Sequence, residues 1–580
     1  MFLSRWLVCA LTLFTFVSTQ YALAGHSGVK GDTADYVVVG VGTAGGLMAR
    51  KLSDDKKTSV IALHSGKNFT NSFICKYSKN TVFSVLSALL GAVPPFDPAT
   101  LDIPPALQKE LADLIALTTS SAKPLYETGF SIPQPAADDR ELFWAMALPL
   151  GGATAVNAGA WCRGTDQLYA QWEALAGPEW SAHKIMSIYK KLEDYDGQTT
   201  NPKARGHHGP LKIRQDSPIT KLSQVFSEAV ILATGFPFVL DYNDPSTPIG
   251  VSPQLQLTHK GHDGYYRVSS ATAFLDDEVM NSKGKGVKGR KLRVHFDSQA
   301  LRTIWEGTKA VGVEYMQNGI TKKVYANKGV IVCAGLGSSP FLLHSGVGSA
   351  SLLQSLNIPV VFDNPNVGQG LADQPHVLML FTSNPEDSAA GSNGVFSQIS
   401  WLPAPGGDPT VRLVRFTTVD AVKGITAALL DLCQPKSRGS VSINSADPLA
   451  PFVLDLGEFS DPSDLDLFVS AFQTYVKQIN IQLQTIDPLY QLIFPDPAIL
   501  DDTAALTAFI KEEVGANMHF QSHCRMAPIN QGGVVDSFGR VYGVQNLIVA
   551  DNSIVPQCMD GSPMSSAYMI AANIARLMGY

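Results

Sequence analysis

The stretch that decides the fold is "DYVVVGVGTAGGLMARKLSDD", residues 35–55. A short β-branched run, Tyr36–Val39, leads into Gly40, Gly42 and Gly45, and helix formers follow from Leu47 to Leu52. The order is strand, glycine turn, helix. Such glycines permit a tight turn, close approach of backbone to a pyrophosphate and close helix–strand packing, while free N–H groups at the helix N-terminus attract the anion. Spacing alone is weak evidence, because many Gly-rich turns share it. The flanking strand and helix, and a second apolar run at Val60–Leu63, supply the context. A dinucleotide fingerprint then expects Asp or Glu about 20 residues on, for the ribose hydroxyls. His64 stands there instead, 24 positions after Gly40.

The chain of 580 residues is too long for one core, so two or more domains are expected. A formal net charge of −7 and the absence of a long Lys/Arg run argue against a nucleic-acid partner. The densest basic stretch, "NSKGKGVKGRKLR" at 281–293, reads as an exposed Gly-rich loop. At the N-terminus, Arg5 precedes an apolar run from Trp6 to Val17, and Ala22-Leu23-Ala24 precedes Gly25. That pattern predicts a secretory signal peptide over residues 1–24, and hence a secreted or periplasmic protein with no stable membrane span after cleavage. The six cysteines beyond the signal are scattered, with no C-x-x-C pair. Neither a metal site nor a disulfide scaffold is expected, and buried free thiols are the default.

Further along, "TVFSVLSALLGAV" and "PPALQKELADLIALTT" carry helical patterns between prolines, and 165–195 reads as helical with Trp172 and Trp180 on core faces. The region 290–334 alternates as successive strands with turns, ending on a short buried strand at Val330–Ala334. A helical run is expected at 461–485, and the chain closes on an amphipathic helix in "SSAYMIAANIARLMGY". Nucleotide-binding signals thus lie at both ends of the chain. The predicted class is α/β, α+β overall. A Rossmann-like nucleotide-binding domain is assembled from 33–66, 140–215, 290–375 and 516–580. A mixed-sheet substrate-binding domain with lid insertions comes from 67–139, 216–289 and 376–515.

At this point five ordered segments resemble the glucose–methanol–choline (GMC) flavoprotein oxidoreductases. The opening segment is one; "LGGATAVNAGAWCRGTDQLYAQW" (150–172) is similar to their first signature. "GVIVCAGLGSSPFLLHSGVG" (329–348) is similar to the second, one residue short after Pro340. "PKSRGSVSINSADPLAP" (435–451) and "GGVVDSFGRVYGVQNLIVADNSIVP" (532–556) follow. In "NVGQGLADQP" (366–375), Gly370 and Gln374 replace the Asn and His of the usual V-G-x-N-L-x-D-H run.

The resemblance implies bound FAD. Its adenosine end would lie on Gly40, Gly42, Thr43, Ala44 and Gly45, with His64 at the ribose and Ala300 nearby. Gly151, Gly152, Thr154, Asn157, Ala158 and Gly159 would border the pyrophosphate and flavin. Asp551, Asn552, Pro563 and Met564 would lie near the ring. Members with covalent flavin carry His just before the Asn of the first signature; Val156 stands here, so non-covalent FAD is expected. At position 64 the family usually has Glu. A neutral imidazole accepts one hydrogen bond and donates another, but forfeits charge-assisted bonds worth roughly 1.5–3 kcal/mol each. NADP, which a positive group there would suit, is rejected because the C-terminal segments match flavin proteins.

The resemblance further implies oxidation of an alcohol CH–OH group, by hydride transfer to flavin N5 with a histidine as base, and with oxygen or another electron acceptor as second partner. In "NMHFQSHCRMAP" (517–528), alignment with the family's H-x-x-G-T-C-x-M pattern puts His519 at the base, Ser522 at the Gly and His523 at the Thr. The second active-site group, His or Asn in the family, falls on Ser562, eleven positions beyond Asp551. Serine is no base, so His519 works with less help, or His523 substitutes, or the activity has drifted. A hydroxynitrile-lyase-like reaction and a degenerate flavin-binding role are the two alternatives.

Overall fold

The structure is a computed structural model and describes residues 32–68, 126–215, 219–260, 266–388 and 396–580. The signal-peptide expectation, Cys75 and the helical patterns between 69 and 125 lie outside these residues.

The first strand, Asp32–Val39, sits in the middle of a seven-stranded sheet. Val60–Leu63 pairs with it in parallel on one side and Ile320–Val332 on the other. Leu292–His295 extends the sheet beyond Val60–Leu63, again in parallel. The strand Ile320–Val332 is longer than the Val330–Ala334 expected from sequence, because it serves two neighbours in turn. Its first half pairs antiparallel with Lys309–Gln317, and Val330–Val332 pair in parallel with Leu547–Val549. Strands buried on both faces read as apolar runs rather than as alternation. Val37, Val38, Val330 and Ile331 are accordingly fully buried, each such side chain contributing about 1.5–3 kcal/mol.

Helices cover this sheet. Thr43–Ser53 packs on the last helix, Met564–Leu577, and on the short helix Ser270–Phe274. Met564–Leu577, the closing helix, is buried along most of its length, with Arg576 exposed at its end. Trp172, in Asp166–Ala176, and Trp180 are both fully buried, as their spacing predicted. Residues 268–280, assigned from sequence to the substrate-binding part, pack in the first core through Val268, Phe274 and Met280. The physical reason is Ser270–Phe274 itself, whose Ser270 hydroxyl donates to the Thr43 carbonyl at 2.8 Å.

A second sheet is antiparallel and six-stranded, in the order Gln491–Phe494, His376–Thr382, Ile425–Leu432, Val414–Val422, Phe396–Leu402, Gly250–Ser252. Lys221–Thr234 and the helices Pro462–Ala471 and Lys477–Ile486 bury its outer face. The last two are joined by the π-helical segment Phe472–Val476 into one unbroken run, in keeping with the helix expected at 461–485. Period-2 alternation then sorts the strand Val414–Val422. Val414 and Phe416 pack toward the helices, whereas Arg415 lies on the opposite face, in register with Trp401. That inner face carries Trp401, Ile399 and Ala427 against Cys162 and Tyr242, close to the first-signature segment. The fold class is therefore the one the sequence predicted: a parallel nucleotide-binding sheet beside a second sheet. No helix among the described residues is long and apolar enough to cross a membrane.

Candidate functional site

The carboxyl ends of the parallel strands converge, the place where open α/β sheets bind ligands. Gly40 follows Asp32–Val39 with φ +88°, and its N–H donates to the Leu63 carbonyl at 2.9 Å. A Cβ on Gly40 would lie 2.5 Å from the Cys333 carbonyl oxygen, and one on Gly45 only 2.0 Å from that of Gly40. Those two glycines are demanded by packing. Gly42 is different: a Cβ there would meet nothing closer than the Gly152 Cα at 3.7 Å. Gly42 is also the N-cap of Thr43–Ser53 and has no side-chain capping bond. The first-turn N–H groups of Thr43, Ala44 and Gly45 have no side-chain cap, as a phosphate-binding helix end requires.

His64 ends the next strand, its backbone bonded to His295 and Ser298. The imidazole is buried, packs edge-on to Phe296 and leaves Nε2 without a hydrogen bond. Burial pushes its pKa down to about 4, against the pull of the Leu148 carbonyl, so the ring is neutral. Ala300, two positions beyond Ser298, is half-buried in the strand Ser298–Glu306.

The first-signature loop closes over the helix end. Gly151 and Gly152 both have positive φ, and a Cβ on Gly152 would meet the Gly42 Cα at 2.8 Å. Thr154 donates to the Gly151 carbonyl and accepts the Ser270 N–H. Asn157 reaches Met564 Sδ at 3.3 Å through Nδ2, and its Oδ1 accepts the Gly159 N–H. Arg267 donates to the Asn157 backbone carbonyl at 2.5 Å. Ala158 packs toward the inner face of the second sheet, and Val156 is buried.

Asp551 spends its carboxylate inside the protein. Oδ2 accepts from the Gly335 N–H and the Ser338 hydroxyl, Oδ1 from the Ser553 N–H and hydroxyl. It thereby ties the end of Leu547–Val549 to the end of Ile320–Val332. Asn552 donates to the Pro563 carbonyl and accepts from Ser566. Pro563 is the N-cap of Met564–Leu577, again without a side-chain cap. An unpartnered His64 Nε2, an open Gly42 and two uncapped helix N-termini are what an elongated dinucleotide bearing phosphates needs, so these residues fit FAD.

His519 lies in a buried group of hydrogen-bonded side chains. Met518 and Ser522 both have positive φ, which bends the segment so that Asp373 accepts the His519 N–H at 2.6 Å. Asp373 itself is buried, which raises its pKa to about 6, opposed by backbone N–H bonds. Gln374, the residue replacing the family's His, decides the tautomer of His519. Its NH2 group donates to the carbonyls of Cys433 and Met559, each at 2.7 Å, and of Gly561 at 3.3 Å. Its Oε1 must therefore face His519 Nδ1, 2.7 Å away. An amide oxygen only accepts, so Nδ1 carries the proton and Nε2 holds a lone pair. Burial lowers the His519 pKa to about 3, with Arg415 acting in the same sense and Asp431 against it.

Ser562 lies one residue beyond the Gly561 carbonyl that Gln374 engages. Its hydroxyl accepts from Arg415 Nη1 at 2.6 Å. Arg415 in turn grips Asp431 with Nε and Nη2, at 2.9 and 2.8 Å. Asn517 donates to both Asp431 and the Gln374 carbonyl, joining the two groups. His376, buried beside Asp431 in the sheet register, is kept neutral by burial at a pKa of about 4. Gln374, Arg415, Asp431 and Asn517 were missed from sequence. Gln374 alone had a visible signal, as a departure from the family pattern; the other three have no spacing to betray them.

His523 is not brought into this group. Its Nδ1 lies 2.5 Å from the Ser339 hydroxyl, and its carbonyl accepts from Gly368 and Ser339. Its Nδ1 is thus held by the helix Ser338–His344, while its Nε2 is buried without a hydrogen bond. No His/Cys/Asp/Glu group among the described residues could hold a metal ion, and the five described cysteines are free and buried.

A parallel nucleotide-binding sheet beside a second, antiparallel sheet, with the tautomer of His519 fixed by Gln374, suits a flavin-dependent oxidoreductase. The comparisons with known proteins narrow it. Models of the GMC oxidoreductase family match residues 34–376 and 435–571, so the chain belongs to the GMC oxidoreductases, and FAD is the family's cofactor. It is 27% identical to an alcohol dehydrogenase [acceptor] of Pseudomonas putida, over 94% of this chain and 95% of that one. It is 26% identical to a 5-(hydroxymethyl)furfural oxidase of Methylovorus sp., over 93% and 98%. Among solved structures it superposes on pyridoxine 4-oxidase from Mesorbium loti with a TM-score of 0.76, at 21% identity over 94% and 99% of the two chains. A formate oxidase gives 0.78 at 18% identity, over 95% and 98%. At those identities the structural likeness shows the fold.

Proposed function

We propose that this protein oxidises the CH–OH group of an alcohol, with His519 as base and non-covalent FAD. The observation that carries the proposal is the tautomer lock: Gln374 holds the proton on His519 Nδ1 and leaves Nε2 free to accept one. FAD, when bound, supplies the acceptor for the hydride that leaves the carbinol carbon. The chain's part is to take the hydroxyl proton onto His519 Nε2 as the carbon–oxygen double bond forms, and to hold the resulting imidazolium through the Gln374 oxygen. Asp373 fixes the backbone of that histidine, and Val156 offers no nucleophile for a flavin bond. The alcohol dehydrogenase and hydroxymethylfurfural oxidase among the relatives support an alcohol as substrate class. The proposal includes export, from the signal-like residues 1–24; a mature N-terminus at Gly25 would support it and a retained Met1 would refute it.

The test is an absorbance spectrum of the purified protein before and after anaerobic addition of a panel of alcohols. Flavin bands that bleach with an alcohol support oxidation. Flavin that no alcohol bleaches, with carbonyl released from a cyanohydrin, would replace the proposal with lyase chemistry.

A further inference from the structure

The second active-site position is serine, and the structure shows what has been built around it. Arg415 and Asp431 are register partners on adjacent strands, joined by two parallel N–H···O bonds. Such a fork pair fixes the plane of the guanidinium. Both side chains are buried, and Asn517 supports the carboxylate from the far side. One nitrogen remains, Nη1, and it is aimed at Ser562 Oγ at 2.6 Å. A guanidinium only donates, so the serine oxygen is the acceptor and its single proton points elsewhere. The Cys162 thiol is within hydrogen-bonding influence of the Ser562 hydroxyl, and a thiol is a weak acceptor that a substrate oxygen outcompetes.

We propose that Arg415 is a positioning residue that makes Ser562 a hydrogen-bond donor to the substrate oxygen, the two together replacing the His or Asn found in relatives. This rests on the alcohol-oxidising function proposed above. The chemistry asks for such a donor. A neutral, buried His519 is a modest base, so removing a hydroxyl proton needs the oxygen left behind to be stabilised. A hydroxyl whose own oxygen is held by a guanidinium is a stronger donor than a free serine, because linked hydrogen bonds polarise one another. Gln374 links the two segments: its amide contacts His519 Nδ1 at one end and the carbonyl of Gly561, next to Ser562, at the other. Asp431 holds the guanidinium plane through two of its nitrogens and neutralises its charge, which leaves Nη1 for Ser562.

The experiment uses the full-length FAD-loaded protein, with Ser562→Ala, Ser562→Thr, the pair Arg415→Met/Asp431→Asn, and that pair combined with Ser562→Ala. Removing Arg415 and Asp431 together avoids stranding a buried carboxylate. Two quantities are read: the rate at which an alcohol bleaches the flavin anaerobically, and the dissociation constant of acetate, an oxygen ligand that only accepts, from its perturbation of the flavin spectrum. Ser562→Ala is expected to slow bleaching about 10²-fold and to weaken acetate about tenfold. Ser562→Thr should recover most of both losses. The Arg415/Asp431 pair should lose both, and adding Ser562→Ala to it should cost nothing further. Additive losses would mean that Arg415 acts independently of Ser562, and overturn the proposal. So would a Ser562→Ala protein unchanged in both readouts, or a wild type that neither bleaches nor binds acetate. A wild type that binds acetate through Ser562 but that no alcohol bleaches would support the donor and refute alcohol oxidation.

Discussion

Gln374 Oε1 lies 2.7 Å from His519 Nδ1, and the other end of the same amide is bound by backbone carbonyls. An amide so held cannot flip, and the orientation of one glutamine thereby sets which nitrogen of the histidine is basic. His519→Asn is expected to slow anaerobic flavin reduction by about 10²–10⁴-fold while FAD stays bound. Gln374→Glu keeps an acceptor on Nδ1 but adds a charge that favours imidazolium, so the His519 pKa rises from its low value. The base must be neutral to act. The acid limb of the pH–rate profile is therefore expected to move toward neutrality, and an unmoved limb would remove His519 from the base role.

Gly42 separates binding from folding. Its Cβ position is open, whereas those of Gly40, Gly45 and Gly152 are filled by backbone. Gly42→Ala is expected to fold with the wild-type circular dichroism spectrum and to lose FAD by at least tenfold in affinity. Gly45→Ala is expected not to fold. Undiminished FAD retention by Gly42→Ala would show that the pyrophosphate does not approach there.

His64→Glu tests the orphaned nitrogen. Without cofactor, a buried carboxylate lacking a partner destabilises the protein. With FAD, the ribose hydroxyls supply that partner, each charge-assisted bond contributing about 1.5–3 kcal/mol. The variant apoprotein should melt below wild type and the FAD-loaded variant at or above it. Lower melting in both forms would place the ribose elsewhere.

His523 has a pKa of about 3, depressed by burial from its ordinary 6.5. The unfolded chain therefore takes up a proton that the native state refuses, so stability present above pH 6.5 is lost as pH falls toward 3. At pH 5 this one group accounts for about 2 kcal/mol. His523→Gln, which does not titrate, should gain on wild type between pH 7.5 and 5 in thermal unfolding. Parallel pH dependences for the two proteins would contradict a buried neutral ring.

What the sequence made legible was whatever depends on neighbours along the chain. The glycine turn after Tyr36–Val39, the ordered family segments and His519 are local signals, and the structure has the first sheet built around that turn. Arg415 and Asp431 were invisible because their meaning comes from the pairing of two strands and from an inward face, in a sheet with no motif. His523 is four residues from His519, but positive φ at Ser522 turns the chain and brings its Nδ1 to Ser339. The packing of residues 268–280 in the first core was likewise set by contacts with Thr43–Ser53, far away in sequence.

The strand Ile320–Val332 carries a consequence for synthesis. Its Val330–Val332 segment is flanked by one of the earliest described strands, Asp32–Val39, and by one of the latest, Leu547–Val549, with Met564–Leu577 then laid over Thr43–Ser53. A chain emerging from the ribosome holds the phosphate-binding turn long before it holds the residues that complete the sheet and the flavin end. The sheet is thus completed only at the end of synthesis, and a nascent chain stalled before residue 547 keeps an open sheet edge at Val330–Val332.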